Sequence, residues 1–311
     1  MNIFTDPSLY KPRKPSVVTV GNFDGVHKGH SALIAEVIRR AKQRDATSVL
    51  VTFEPHTRMV VGDDTRTPLL STFDEKAFLI ERCGVENLVC VPFTDDIRRL
   101  SAAEFIFRIL KTRIGAVEWV MGKGHTFGSD RVVGNDSLRE LMDKYDIYMF
   151  TFGLSAFEEL VVSSTEIRAL IAAGDIGRAV GMLGHPYVIR ARRVAGKKIG
   201  TALGFPTLNF EKPHADKILP PAGVYAAELC YEGKKHKGTL YFGDCPTFTH
   251  RDVHFEFHLF SVPEKLPETG DHAVLMVEEF IRRDRAFDST EGLVEQIKRD
   301  IENINHFFSG V

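Results

Sequence analysis

After Gly184 the spacing of apolar residues changes period, and this change confines the chain to two folding units of different kinds. From about residue 16 to 184, short β-rich runs alternate with helical patterns, as βαβ units feeding a parallel sheet do. The runs are Ser16 to Val20, Ser48 to Phe53, Asn87 to Val91, Val117 to Met121 and Asp146 to Phe150. Leu33, Ile34, Val37, Ile38 and Ala41 recur at helical spacing, Ser101 to Ile114 predicts a second amphipathic helix, and Thr165 to Ala173 closes on Gly174 as a C-terminal stop. Beyond Gly184 the runs Tyr187 to Val194, Val224 to Tyr231, Gly238 to Phe242, Val253 to Phe260 and Ala273 to Phe280 follow closely, separated by Gly, Pro, Lys and Asp. That pattern predicts an antiparallel barrel or sandwich. Asp288 to Glu291 reads as a capping box for a last helix with Leu293, Ile297, Ile301, Ile304 and Phe308 on one face. The turn signal Gly184-His185-Pro186 places the domain boundary there, giving domains 1–184 and 185–311.

The 311 residues, 43% of them hydrophobic, suffice for two well-buried cores. Forty basic residues nearly cancel 42 acidic ones, so no whole-protein field recruits nucleic acid or an anionic membrane, and any phosphate binding must be local. Cys83, Cys90, Cys230 and Cys245 are scattered without a CxxC pair or zinc spacing, which fits a reducing cytoplasm. The N-terminus is polar with three prolines, and no apolar run reaches membrane-spanning length, so a soluble, unexported protein is expected.

The segment VVTVGNFDGVHKGHSALI sets a strand, a glycine-punctuated loop and a helix in succession. Gly21, Gly25 and Gly29 allow close backbone approach, and the helix offers free N–H groups and its positive dipole end to phosphate. His27 and His30, three residues apart at the helix start, can donate together to phosphate oxygens in a nucleotidyl transfer. Farther on, Ser164 and Thr165 of SSTEIR can cap a helix while their hydroxyls and Arg168 face a triphosphate.

GNFDGVHKGH resembles the HxGH signature of nucleotidyltransferases, in the variant form of the bacterial bifunctional riboflavin kinase/FAD synthetase family. TFEPH (52–56), PFTDDIRRLSAAEF (92–105) and SSTEIR (163–168) are similar to that family's segments, in its order. The resemblance implies an α/β fold: a Rossmann-like nucleotidyltransferase domain followed by an antiparallel β-barrel kinase domain with a C-terminal helix. It implies that His27 and His30 act on the ATP phosphates, that Asn22, Phe23, Asp24 and Gly25 shape the pocket, and that Phe53, Pro55, His56 and Phe127 hold the flavin. FMN's phosphate would attack the α-phosphorus of ATP with Mg²⁺ and release pyrophosphate.

No GxxxxGK[ST] occurs, so a second phosphoryl-transfer site needs other residues. KKIGTALGFPTLNF (197–210) resembles the riboflavin kinase loop ending in PTxN, with Gly200 and Gly204 folding over phosphates and Thr207 and Asn209 as oxygen ligands of Mg²⁺. In VHFEFHLF, alternation sets Val253, Phe255, Phe257 and Leu259 on one face and His254, Glu256 and His258 on the other. Glu256 matches the family's catalytic glutamate, and Arg282, beside Phe287, matches its flavin-binding stretch.

The chain departs from the family at named positions. Thr57 stands for the usual Pro, Gly124 and His125 for an Asp and an aromatic, and Tyr241 and Cys245 for the Asn and Arg around the CPTF segment. Two readings stay open here: a bifunctional enzyme converting riboflavin to FMN and FMN to FAD, which is the expectation, or an FAD synthetase alone with a weakened C-terminal domain. Either has small-molecule partners, with neither nucleic acid nor membrane, and leaves room for weak self-association.

Overall fold

Parallel pairing of six strands organises the first half of the chain. The computed structural model describes residues 1–61, 67–122, 135–153, 162–243 and 254–310. The chain divides into two compact units, residues 1–67 with 76–162, and residues 68–75 with 163–311.

The first unit contains β1 (Asn2–Phe4), β2 (Ser16–Val20), α1 (Lys28–Gln43), β3 (Thr47–Glu54), α2 (Thr57–Val61) and, from Lys76 onward, α3 (Phe73–Arg82). It continues with β4 (Asn87–Pro92), α4 (Asp95–Arg99), α5 (Ala102–Phe105), β5 (Ala116–Gly122), α6 (Asn135–Lys144) and β6 (Tyr148–Phe152). The sheet order is β1-β4-β3-β2-β5-β6, with every pairing parallel. β2 is buried along its whole length, which explains its unbroken run SVVTV: strands covered on both faces carry continuous apolar runs. From β2 the chain steps outward to β3 and β4 and then returns to β5 on the other side of β2. The connections diverge at the carboxyl end of β2, where ligands bind in open α/β sheets.

Three details differ from expectation. β1, three residues pairing with β4 at the sheet edge, was not predicted, being too short to show a period. The predicted helix over 101–114 starts with a capping box between Ser101 and Glu104, but α5 passes into a π-helical stretch, Ile106–Arg113. β6 begins two residues late because Asp146 takes a left-handed φ of 52° in the turn after α6.

The second unit carries α7 (Ser164–Ala173), α8 (Ile176–Leu183), β7 (Tyr187–Val194), α9 (Ile199–Ala202), β8 (Thr207–Phe210), β9 (Gly223–Tyr231), β10 (Lys234–Gly243), β11 (His254–Leu259), β12 (His272–Arg283) and α10 (Thr290–Ser309). Its strands close into an antiparallel barrel, β10-β11-β8-β7-β12-β9, so the sandwich is excluded. α7 and α8 pack in this unit, although they precede Gly184: Ile176, Ala179 and Leu183 are buried, and α8 lies on β7 and β12. Residues 68–75 join it through Leu69, whose N–H donates to the Asp216 carbonyl (2.7 Å), and through the buried Lys217–Glu75 ion pair (2.8 Å).

Gly174 ends α7 in the left-handed conformation as predicted. The caps at two helix starts require correction. Ser163, not Ser164, caps α7, accepting from Thr165 N–H at 3.2 Å. Ser289, not Asp288, caps α10, because its extended backbone turns Oγ onto Gly292 N–H at 3.1 Å. Along α10, Ile304 is buried and meets Val224 and Ala226 of β9, with Phe308 packed beside them. Cys83, Cys90 and Cys230 are free thiols, and Cys245 lies outside the described residues. No helix among the described residues is long and apolar enough to cross a membrane.

Candidate active sites

Residues 21–27 leave the carboxyl end of β2 as a tight turn with left-handed residues and lead into α1. Phe23 (φ 49°), Gly25 (φ 74°) and Val26 (φ 42°) all have positive φ, and for β-branched Val26 that conformation is strained. Burial of Phe23 and Val26 holds it in place, as do bonds from Val26 N–H to the Phe23 carbonyl (3.1 Å) and from Ser31 Oγ to the Val26 carbonyl (3.3 Å). Such strain, retained by its surroundings, concentrates at functional sites.

His27 is the N-cap of α1, its Nδ1 accepting from His30 N–H at 3.4 Å. An imidazole whose Nδ1 accepts carries its proton on Nε2, so the ring presents that N–H as its donor. The His27 and His30 rings stack, with centroids 3.7 Å apart and planes at 17°, and Phe23 meets His30 edge-on at 5.3 Å. Gly29 makes room for this stack, since a Cβ there would stand 3.3 Å from the His27 ring. Two imidazoles and a helix N-terminus therefore converge at the sheet's switch point, an arrangement suited to an anion.

The carboxyl end of β3 supports the turn. Thr52 Oγ1 donates to the Asn22 carbonyl (3.3 Å), Lys76 Nζ donates to Thr52 Oγ1 (3.1 Å), and Asn22 Nδ2 donates to Thr57 Oγ1 (2.8 Å). Lys76 is buried, and that burial pushes its pKa below the ordinary lysine range against the opposing pull of Glu54, Asp24 and the Cys90 thiol. Sequence reading missed Lys76 and Thr52; a lysine in the first turns of an amphipathic helix carries no sign that it will be buried. Of the expected flavin residues, Phe53 packs in the core against Phe93 and Phe105, and His56 is buried, its Nδ1 accepting from Arg58 N–H at 3.2 Å. Pro55 follows Glu54 through a cis peptide. Phe127, Gly124 and His125 lie outside the described residues.

Ser164, Thr165 and Arg168 belong to the second unit, at the start of α7. Arg168 is buried and its Nε donates to the Pro68 carbonyl at 2.6 Å.

Alternation along β11 places Phe255 and Phe257 in the core, as predicted, and turns Glu256 and His258 into a pocket. Ladder register sets Asn209, Glu256 and Tyr241 directly opposite one another on three neighbouring strands, with Thr207, His258 and Thr239 as the next row. Directly paired residues share a sheet face, so all six project together. Thr207 Oγ1 donates to Glu256 Oε2 at 3.1 Å, and the hydroxyl of Tyr241 donates to Asp284 Oδ2 at 2.7 Å. Opposite this face, Leu293 and Ile297 of α10 line the pocket. Arg282 lines it as well, its guanidinium bound to both oxygens of Asp300 (3.0 and 2.9 Å) and 5.7 Å from the Phe287 ring centroid. Tyr241 and Asp284 were not among the predicted site residues. The CPTF segment lies outside the described residues.

Gly200 lies in α9 against the chain's own return: a Cβ there would stand 2.4 Å from the Phe205 carbonyl oxygen and 3.3 Å from Thr207. Gly200→Ala therefore pushes the loop off Thr207. The expected loss at the barrel pocket is about tenfold or more in turnover, measured as initial rate, with chemistry at the first unit unchanged. Gly204 continues the loop with φ 87°.

Comparison with known proteins agrees along the chain. A family described as FAD synthetase matches residues 10–166, and one described as riboflavin kinase matches residues 183–308. Curated relatives named bifunctional riboflavin kinase/FMN adenylyltransferase include those of Pseudomonas fluorescens (32% identity, 94% of this chain, 93% of that one) and Escherichia coli K12 (30%, 96% and 94%). A crystal structure described as a macrolide-efflux protein from Streptococcus pneumoniae superposes with TM-score 0.81 at 27% identity, over 97% of this chain and 98% of that one.

Proposed function

The chain belongs to the bifunctional riboflavin kinase/FMN adenylyltransferase family, and from that premise we propose how its residues divide the two reactions. The protein phosphorylates riboflavin to FMN and adenylylates FMN to FAD, with ATP as co-substrate of both steps. The reading of a lone FAD synthetase is set aside, because the riboflavin kinase family matches the C-terminal segment itself. We assign adenylyl transfer to residues 1–184 and phosphoryl transfer to 185–311 along the sequence, although α7 and α8 of the first stretch pack with the barrel.

The observation that carries this division is Glu256 facing a barrel pocket, bonded to Thr207, in a chain whose stacked histidine pair lies on the other unit. In the first unit, an oxygen of the FMN phosphate attacks the α-phosphorus of ATP and the bond to pyrophosphate breaks. His27 and His30 with the amides of α1 hold the charge that builds on phosphate oxygens, and the strained turn fixes their direction beforehand. Gly21, Asn22, Phe23, Asp24, Gly25 and Gly29 shape the nucleotide pocket of the first unit; the family resemblance assigns Ser164, Thr165 and Arg168, at the start of α7, to ATP phosphates. The family resemblance assigns Phe53, Pro55, His56 and Phe127 to flavin binding.

In the barrel, Glu256 accepts the proton of the riboflavin 5′-hydroxyl as its oxygen attacks the γ-phosphorus and ADP departs. The Thr207 hydroxyl orients that carboxylate. Arg282, held by Asp300, borders the flavin with Phe287, and Gly200 and Gly204 bend the loop over the phosphates. The donor set of hydroxyl, amide and carboxylate oxygens around Thr207, Asn209 and Glu256 suits Mg²⁺, with Thr207 and Asn209 as its direct ligands. When bound, Mg²⁺ neutralises charge on the transferring phosphates. We place the protein in the cytoplasm with small molecules as its partners, neither nucleic acid nor membrane among them, and weak self-association allowed.

Incubation of the protein with riboflavin, ATP and Mg²⁺ is expected to yield FMN first and then FAD, resolved by chromatography. FAD from FMN with nothing from riboflavin would restore the single-activity reading. EDTA is expected to abolish both steps and added Mg²⁺ to restore them; persistence of either step in EDTA contradicts the metal assignment for that step.

A further inference from the structure

Position 57 carries threonine where the family's segment has proline, and the structure uses both groups that proline lacks. Thr57 Oγ1 accepts from Asn22 Nδ2 at 2.8 Å, and Thr57 N–H donates to Asn22 Oδ1 at 3.5 Å. The first is a full hydrogen bond and the second sits at the limit of one, so the hydroxyl dominates the contact. The Asn22 backbone is held separately, its carbonyl accepting from Thr52 Oγ1, which in turn accepts from buried Lys76. Asn22 is thus fixed at its side-chain amide and its carbonyl by residues outside its own loop. It immediately precedes Phe23, the first left-handed residue of the turn that leads to His27. A rotation of Asn22 is therefore passed into the turn that aims both imidazoles.

We propose that Thr57 is a positioning residue for adenylyl transfer, acting through the side-chain amide of Asn22 to fix the loop that carries His27 and His30. The inference rests on the assignment of that loop to FAD formation. It differs from a catalytic role in that Thr57 works only through Asn22.

The bifunctional chain supplies its own control, since riboflavin phosphorylation occurs at other residues of the same molecule. Thr57→Val keeps the shape and removes the hydroxyl, whereas Thr57→Ser keeps the hydroxyl. For FMN to FAD, T57V is expected to lower kcat about tenfold while KM for ATP changes by less than about threefold, because orientation rather than uniform binding is lost. T57S is expected to stay within about twofold of the parent, and both variants to form FMN from riboflavin at the parent rate. In an Asn22→Ala background, T57V is expected to cost nothing further, the signature of two residues acting as one unit. A general loss of fold would instead add its damage to that of N22A. The inference is overturned by T57V within twofold of the parent, by T57S as impaired as T57V, or by additive losses in the double variant. A His27 variant that still makes FAD would defeat the site assignment itself; a dead His27 variant beside an unimpaired T57V defeats only the role of Thr57.

Discussion

His27→Ala makes FMN from riboflavin and stops there. Loss of one preorganised donor to a developing oxyanion lowers turnover by about 10²–10³, and His27 has two further duties whose loss compounds this. It caps α1 through Nδ1 and forms one side of the stack that orients His30. Removing a helix cap costs about 0.5–2 kcal/mol, so alanine alone cannot separate catalysis from local support. His27→Asn can. Asparagine is a good cap and retains an acceptor for the His30 amide, yet has no imidazole. If the ring acts on phosphate, H27N and H27A lose FAD formation alike while both preparations accumulate FMN. If His27 serves only to start the helix, H27N recovers most of the parent rate. Equal loss of FMN and FAD formation in either variant would mean that the two reactions do not occupy independent sites.

The local order of strand, glycine loop and helix was legible because each part is recorded in neighbouring residues: the apolar run of β2, the glycines, and the period of α1. The face of β11 was legible for the same reason, since alternation decides which residues go to the core and which face outward. What stayed hidden depended on contacts between distant residues. Nothing near Thr57 shows that it reaches Asn22, 35 residues away, and Tyr241 meets Asp284 because β9 pairs with both β10 and β12, setting Val224 opposite Tyr241 on one side and Arg282 on the other. The unit boundary was hidden for a related reason. Gly184 marks a real stop of α8, left-handed at φ 80°, but a stop in local structure does not say which unit the preceding helix packs with. The α10 cap shows the limit at short range. Asp288 and Ser289 both suit a cap chemically, and the choice of Ser289 follows from its extended backbone.

Glu256→Gln reverses the outcome expected of the His27 variants. Glutamine fills the same volume, and its carbonyl oxygen still accepts from the Thr207 hydroxyl, so the pocket and its loop keep their arrangement. What disappears is the capacity to take a proton. General-base catalysis contributes about 10²–10⁴ in rate, and the phosphorylation of riboflavin is expected to fall by that factor. KM for riboflavin is expected to stay within about threefold, since the substitution leaves Arg282, Phe287, Leu293 and Ile297, which line the same pocket, untouched. FMN supplied directly is still converted to FAD at the parent rate. A second outcome would locate the base elsewhere: a rise in KM with kcat preserved means that Glu256 only binds, through Thr207 or the metal. Thr207→Val then decides between them. With a catalytic Glu256, loss of the Thr207 hydroxyl frees the carboxylate to rotate and also removes a proposed Mg²⁺ ligand, so kcat falls by a larger factor in the wild-type background than in E256Q, where only the metal share of the loss is left; equal losses in the two backgrounds mean that Thr207 does not act through the carboxylate.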